Sequence, residues 1–600
     1  FFAPTSATAG VSVDAYNTNW TISNNRIYQT AARAFTSSAQ RYSGIAINSV
    51  AASAEGGNFV VTGNTIGFGA ADGTGTTTLS GSSNEFRGIA ITGSSTDAGT
   101  FSTIQGNTIS GIVQTSSRAS TTSSSSAFIG IQASTSAVDA PANILGNTIG
   151  SLDGSSSITI TATSTSASTA TLYGIYDFAY VDGLSVSGNN IGSITVNDGG
   201  TGTVTGLRGI FSAAASGMSR TISNNTVGGA LPGSITNNLS GGILYGIQTG
   251  NVKVTATGNV VQNLTSKATA GIVALEAMAI TSATGSGPSL ISGNTVRNLN
   301  VAAGSTAGAL YAIDLTLPQA GNVVEKNTLY GVSATSAPAI AYQVYGMFVR
   351  GTSIVDVRNN VFRMGFDAAG NAITAPQSTV GIRDTAGAGS QNNYYYNSIY
   401  IGGTGVTATA SASSYAFNSD VVTTARNFQD NIFWNARSNA VGGGFVHAAI
   451  KVGGTAPNPA GLTSDHNILL ATGTDGVTGV FNGAVVNTLT DWQTATGQDA
   501  TSLAADPLFV AATAATPDLH VQSGSPALGA GIPIASVSTD FAGTARSATT
   551  PTIGAYEVAA GPRPAGLLPA MPNGAHAGAP ARLANAPAEL PADGTSVDKN

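Results

Sequence analysis

The stretch Ile291-Ser-Gly-Asn-Thr-Val-Arg-Asn-Leu299 decides the fold, because the chain keeps returning to it. With Asn294 as reference, equivalent asparagines stand at Asn25, Asn64, Asn107, Asn147, Asn189, Asn225, Asn259, Asn327, Asn360, Asn397, Asn431 and Asn467. Two places after each comes an apolar residue in all thirteen units, from Ile27 to Leu469. Three places before, only Ser464 is neither apolar nor aromatic. Hydrophobic residues are 42% of the chain, so composition alone would leave about half of those positions polar. This is an internal repeat, and its spacing of 33 to 43 residues is that of a solenoid.

Within each unit a short alternating segment ends at Gly-Asn and another starts at once with Thr-Ile. Gly and Asn accept φ > 0 at least cost, so the pair reads as a sharp bend between two strands. Stacked units place each Asn above the last, about 5 Å away, where the amides can bond along the stack. A third strand signal lies between the asparagines. It reads Arg87-Gly-Ile-Ala-Ile91, Tyr173-Gly-Ile-Tyr176, Arg208-Gly-Ile-Phe211, Tyr245-Gly-Ile-Gln248, Tyr311-Ala-Ile-Asp314, Tyr345-Gly-Met-Phe348 and Tyr415-Ala-Phe-Asn418. Three short strands per unit and no helical period describe an all-β chain, a right-handed parallel β-helix of about thirteen coils and roughly 60 Å.

Composition fits a solenoid, in which each coil touches only its neighbours. Charged residues are 8% and glycines number 76, too apolar for disorder and too glycine-rich for helices. With no cysteine there are no disulfides or thiolate metal sites. A net charge of −7 over 600 residues argues against nucleic acid as a partner, and no apolar run is long enough to insert in a membrane. The start at Phe1, with a repeat under way by Ile22, suggests a processed or shortened form. The coils occupy 1–500, a capping block 501–558, and a Pro/Ala/Gly-rich tail 559–600. The longest Ser/Thr/Ala loops, Thr115–Ala127 and Ser155–Thr171, read as solvated linkers.

Charged residues are densest at Arg350, Asp356, Arg358, Arg363, Asp367, Arg383 and Asp384; a second group holds His447, Lys451, Asp465 and His466. Surface ion pairs are the plain explanation of the first group. Its arginines are also candidate ligands for an acidic sugar. Tyr394, Tyr395 and Tyr396 are candidate sugar platforms, since alternation turns at least one ring outward. Threonine ladders of the Thr-x-Thr kind appear only as fragments such as Thr159-Ile-Thr161, out of phase with the repeat. No catalytic residues, metal ligands or cofactors are assigned.

After Asn467 the character changes. Asp506-Pro-Leu-Phe509, Gly524-Ser-Pro-Ala-Leu-Gly-Ala-Gly531, Asp540-Phe-Ala-Gly543 and Ile553-Gly-Ala-Tyr-Glu557 form a block. Over roughly 465–558 the chain resembles the C-terminal block of bacterial right-handed parallel β-helix surface proteins of the choice-of-anchor Q type, and its coils resemble type IX secretion cargo. The block departs from the pattern at Gly529 and Thr552, where Asp is usual, which leaves calcium unsupported. The triplet Asp384-Thr385-Ala386 resembles a periplasmic O-glycosylation acceptor centred on Thr385. The resemblance implies a secreted or cell-surface location and no reaction. The expectation is a structural or adhesive rod that binds extracellular glycans or copies of itself, with a polysaccharide lyase or glycoside hydrolase as the alternative. The block is expected to close the open end of the last coil.

Overall fold

The bend dictates the architecture. In all thirteen units the residue before the ladder asparagine is left-handed: Gly63, Gly106, Gly146, Gly188, Gly258 and Gly293, and in the others Asn24, Asn224, Lys326, Asn359, Tyr396, Asp430 and His466. The computed structural model describes residues 5–558, apart from position 6 and short loop stretches, the longest being 49–56, 93–100, 119–125, 135–141, 164–170, 200–205, 303–307 and 335–341. The tail 559–600 and parts of the two long Ser/Thr loops, 119–125 and 164–170, therefore lie outside the described residues.

Three parallel sheets run the length of the solenoid. Sheet A holds the Tyr/Arg-Gly-Ile segments, such as Leu244–Gly250; sheet B the segments before each bend, such as Lys253–Thr257; sheet C those after it, such as Val260–Ser266. Sheet B is 13 strands deep. The solenoid has about 11 turns, slightly fewer than the thirteen coils expected. Ile, Val, Leu and Phe from all three sheets fill one continuous core along the axis.

The asparagines bond from coil to coil without a break from Asn25 to Asn467. The Asn294 Oδ1 accepts from the Asn259 backbone N–H (3.0 Å) and Nδ2 (2.9 Å), while its own Nδ2 donates to the Asn327 Oδ1 (2.9 Å) and the Ala256 carbonyl (3.0 Å). At the last rung Ser502 and Asp499 replace the next asparagine, at 2.9 Å from the Asn467 N–H and 3.1 Å from its Nδ2.

The open end is closed by something other than the expected block. The final sheet-A strand, Gly476–Phe481, turns back into an antiparallel strand, Ala484–Val486. A helix, Leu489–Thr496, capped by Thr488 and ended by left-handed Gly497, then lays Trp492 over the core, 1% exposed. Gly479 makes room for it: a Cβ there would stand 2.3 Å from the Trp492 ring.

The block itself runs back along the outside of sheet C. Phe509, Leu519, Val521, Ala527, Ile553 and Ala555 pack on Val361, Tyr400, Ile432 and Ile468, which come from four successive coils. Gly554 sits so close that a Cβ would lie 2.6 Å from the Ile432 Cδ1 and 2.8 Å from the Ser398 Oγ. The block is a flank strap.

Candidate functional site

Side chains facing out of sheet A form two columns in register. One reads Tyr173, Arg208, Tyr245, Glu276, Tyr311, Tyr345, Val380 and Tyr415. The other reads Tyr176, Phe211, Gln248, Ala279, Asp314, Phe348, Arg383, Asn418 and Lys451. Each coil places its own pair because residues one and four of the segment point out while the core takes the residues beside them, Leu244 and Ile247 in one coil, Leu310 and Ile313 in another.

The rings are stacked and the cations lie over them. Tyr311, Tyr345 and Phe348 have centroids 5.2–5.3 Å apart and planes 9–23° apart. The Arg350 guanidinium lies 5.6 Å from the Phe348 centroid and 5.9 Å from that of Tyr311; Arg383 is 5.9 Å from Tyr345. Arg208 is 5.0–5.4 Å from Tyr173, Phe211 and Tyr245 and donates to the Tyr173 hydroxyl at 2.8 Å. Lys451 is 5.4 Å from Tyr415. Such contacts hold the long cationic side chains against the strip. Tyr173, Tyr176, Tyr311 and Tyr345 are buried, while Arg208, Phe211, Tyr245, Phe348, Arg383, Tyr415 and Lys451 are half-buried and the Arg350 side chain is 44% exposed.

Two carboxyls meet midway along it. Burial, and then the neighbouring Asp314, push Glu276 up to about 8. Burial also lifts Asp314, to about 6, against the pull of its ion pair with Arg350. Each group bears on the other's titration, and Glu276 is the one that holds its proton near neutrality.

The arginine patch read from the sequence is divided among the three sheets. Arg350 and Arg383 reach the strip. Arg358 lies on sheet B, 2.8 Å from Glu325, and donates to the Ser536 carbonyl of the strap at 2.6 Å. Arg363, expected at the surface, is buried beneath the strap, where it donates to the carbonyls of Ala512, Thr513 and Ala514 and stacks 4.2 Å over Phe366. Asp384 is also buried, accepting from the Ala386 N–H (3.0 Å) and Asn392 (3.2 Å), and burial raises its pKa. Thr385, half-buried at the end of that strand, bonds the Val349 carbonyl through its N–H (2.9 Å).

The tyrosine triplet offers no open platform. Tyr394 is in the solenoid core against Phe417 and Phe428. Tyr395 and Tyr396 do point outward, but Ile534 and Val537 of the strap cover them. His447 is internal too: its ring bonds Ser414 (2.8 Å) and Asn439 (3.0 Å), and burial drops it to about 4, so it is neutral.

Sequence reasoning missed most of the strip although it had quoted the segments that make it. The signal was the aromatic or charged residue at both ends of Tyr-Gly-Ile-Tyr and its equivalents. The threonine reading also changes: the residue after the ladder asparagine forms an in-phase column on sheet C, including Thr65, Thr108, Thr148, Thr226, Thr295 and Thr328.

No protein-family model matches this chain, and no match to a curated protein is found. Among the described residues there is no cluster of His, Cys, Asp or Glu fit to hold a metal ion, and no helix is long and apolar enough to cross a membrane.

Proposed function

We propose that this chain is a secreted, cell-surface structural or adhesive rod that holds an extended glycan along the outer face of sheet A. One observation carries the reading: aromatic rings and cations repeat coil after coil down a single face. Sugar rings stack on aromatic faces, and strand spacing offers a new ring or charge about every 4.8 Å along the axis. The ladder and the strap support the rod, since both tie neighbouring coils together.

The Glu276–Asp314 pair gives the hydrolase alternative its one specific support. The pair fits that chemistry poorly. Glycosidase chemistry needs a carboxyl free on each side of the scissile bond, and here Asp314 is held by Arg350. The expected result with purified protein is retarded migration in gels cast with polysaccharide, without new reducing ends or unsaturated uronate products. Phe348→Ala, at the half-buried end of the ring stack, should weaken retention several-fold. Cleavage lost on Glu276→Gln would replace the rod reading with the enzyme. Unretarded migration in every gel would remove glycan binding.

A further inference from the structure

Among the described residues the arginines Arg87, Arg220, Arg363, Arg426 and Arg437 are buried, and the fold answers all but the last. Arg87 and Arg220 pair with Glu85 at 3.3 Å and Asp177 at 2.8 Å. Arg363 donates to carbonyls of the strap. Arg426 donates to the Ser419 hydroxyl (3.1 Å) and the Gly453 carbonyl (2.7 Å), with the charge of Asp384 in range. Arg437 lies at the corner between strand Ile432–Asn435 of sheet C and strand His447–Val452 of sheet A, and it has no exposed surface. Its guanidinium has one acceptor, the Ala375 carbonyl two coils back, at 3.4 Å from Nη2. Nε and both N–H bonds of Nη1 have no partner among the described residues. Asp475, whose charge acts with that of Arg437 on His447, accepts instead from Asn439 (2.7 Å) and the Gly443 N–H (3.1 Å). Burial lowers Arg437 to about 10, so it stays charged at neutral pH.

We propose that Arg437 holds a small oxyanion, a carboxylate, sulfate or phosphate group, in this corner. A buried charge with no counter-charge is among the costliest things a fold can keep, and the planar guanidinium is shaped to donate to these groups. Gly403, one coil back and left-handed at φ 98, puts no side chain beside Nη1, where a Cβ would lie 3.7 Å away. A polymer cannot reach a side chain without exposed atoms, whereas an ion passes when the loop 402–406, with Thr404 and Gly405 at the surface, opens. The ion completes a tie across three coils, those of Ala375, Gly403 and Arg437, and sets a negative charge near His447.

The test adds sodium sulfate, phosphate or formate to the whole chain, against sodium chloride at equal ionic strength. At about ten times its dissociation constant, the bound anion should slow hydrogen exchange at 372–375, 402–406 and 437–439 about tenfold. It should also move the His447 titration, followed by NMR, up from about 4, because a nearby negative charge favours the imidazolium. Arg437→Gln should lose both responses. Equal protection in Arg437→Gln would place the ion elsewhere and overturn the site, and equal protection by chloride would overturn the oxyanion. Unchanged exchange and an unmoved His447 with all three oxyanions would leave Arg437 a buried cation without a ligand. If Arg437→Gln fails to fold, the His447 titration in the unaltered chain decides.

Discussion

Each ladder asparagine from Asn64 onward is worth more than its size suggests because all four of its hydrogen-bonding positions are used. Asn294→Ala would strand the Asn259 N–H and side-chain amide and the Ala256 carbonyl inside the rod. Orphaned buried groups cost about 1–3 kcal/mol each, so the variant should lose roughly 4 kcal/mol locally. Asn25→Ala, at the exposed start of the ladder, should lose well under 1 kcal/mol because water replaces the partner. Denaturant melts of both variants, with hydrogen exchange in neighbouring coils, check the contrast. Asp430 behaves differently. Burial pushes its carboxyl up to about 7, while its Oδ1 accepts from the Ile532 N–H of the strap at 3.0 Å. Unfolded, it would release its proton near pH 4. Between those values the folded form holds a proton that the unfolded form has lost, so stability falls as pH rises and levels off above about 7. Proteolysis of the strap around 530–535 should therefore be slower at pH 5 than at pH 8, and Asp430→Asn should flatten the difference.

Among the elements, the strap shows what the sequence could and could not tell. Its motifs were legible as a unit, and Phe509 and Leu519 are buried as a capping role required. Its position was not legible, because motif residues report that something packs without saying against what. Two columns held the answer. The residue after the ladder asparagine is Thr in most earlier coils but Val361, Ser398, Ile432 and Ile468 where the strap lies. The left-handed residue before it is Gly in six coils, but in three of the last four it is Asn359, Tyr396 or Asp430, each of which grips the strap. A side chain at positive φ is strained, and that cost is offset by contacts Gly cannot make. Tyr396 donates to the Ile532 carbonyl at 2.6 Å and stacks 3.6 Å beneath Arg546, which in turn donates to Asn359 at 2.6 Å. Tyr396→Gly should therefore leave the coil intact and loosen the strap, seen as faster proteolysis of 506–558. Gly554→Ala should do the same by forcing a clash at Ile432. Removing 506–558 should yield an aggregating protein, since Tyr400, Ile432, Trp434 and Ile468 would then face water as one patch. A soluble, monodisperse 1–505 fragment would count against the strap as a cover.

At the scale of the whole rod, stability is a chain of nearest-neighbour terms, and those terms are unequal. The first coil is the weakest. Its strands on sheets B and C, Thr21–Ser23, Arg26–Ile27 and Arg33–Phe35, are two or three residues long, it has a neighbour on one side only, and its ladder residue is exposed. Coils from Asn360 to Asn467 carry strands of four to eight residues, a helix over the end and a strap bonded across four coils. Fraying should therefore begin at the N-terminal coils and run toward the C-terminus, since a coil that has lost its neighbour also loses the amide partner above it. Hydrogen exchange under mild denaturant should show backbone amides around Asn25 and Asn64 exchanging first, those around Asn259 later, and those around Asn397 and Asn431 last. Asn294→Ala should split the rod at that rung, so that coils on its N-terminal side melt separately from the strapped half. Uniform exchange along the chain, or a single cooperative melt in that variant, would mean that the ladder does not couple the coils.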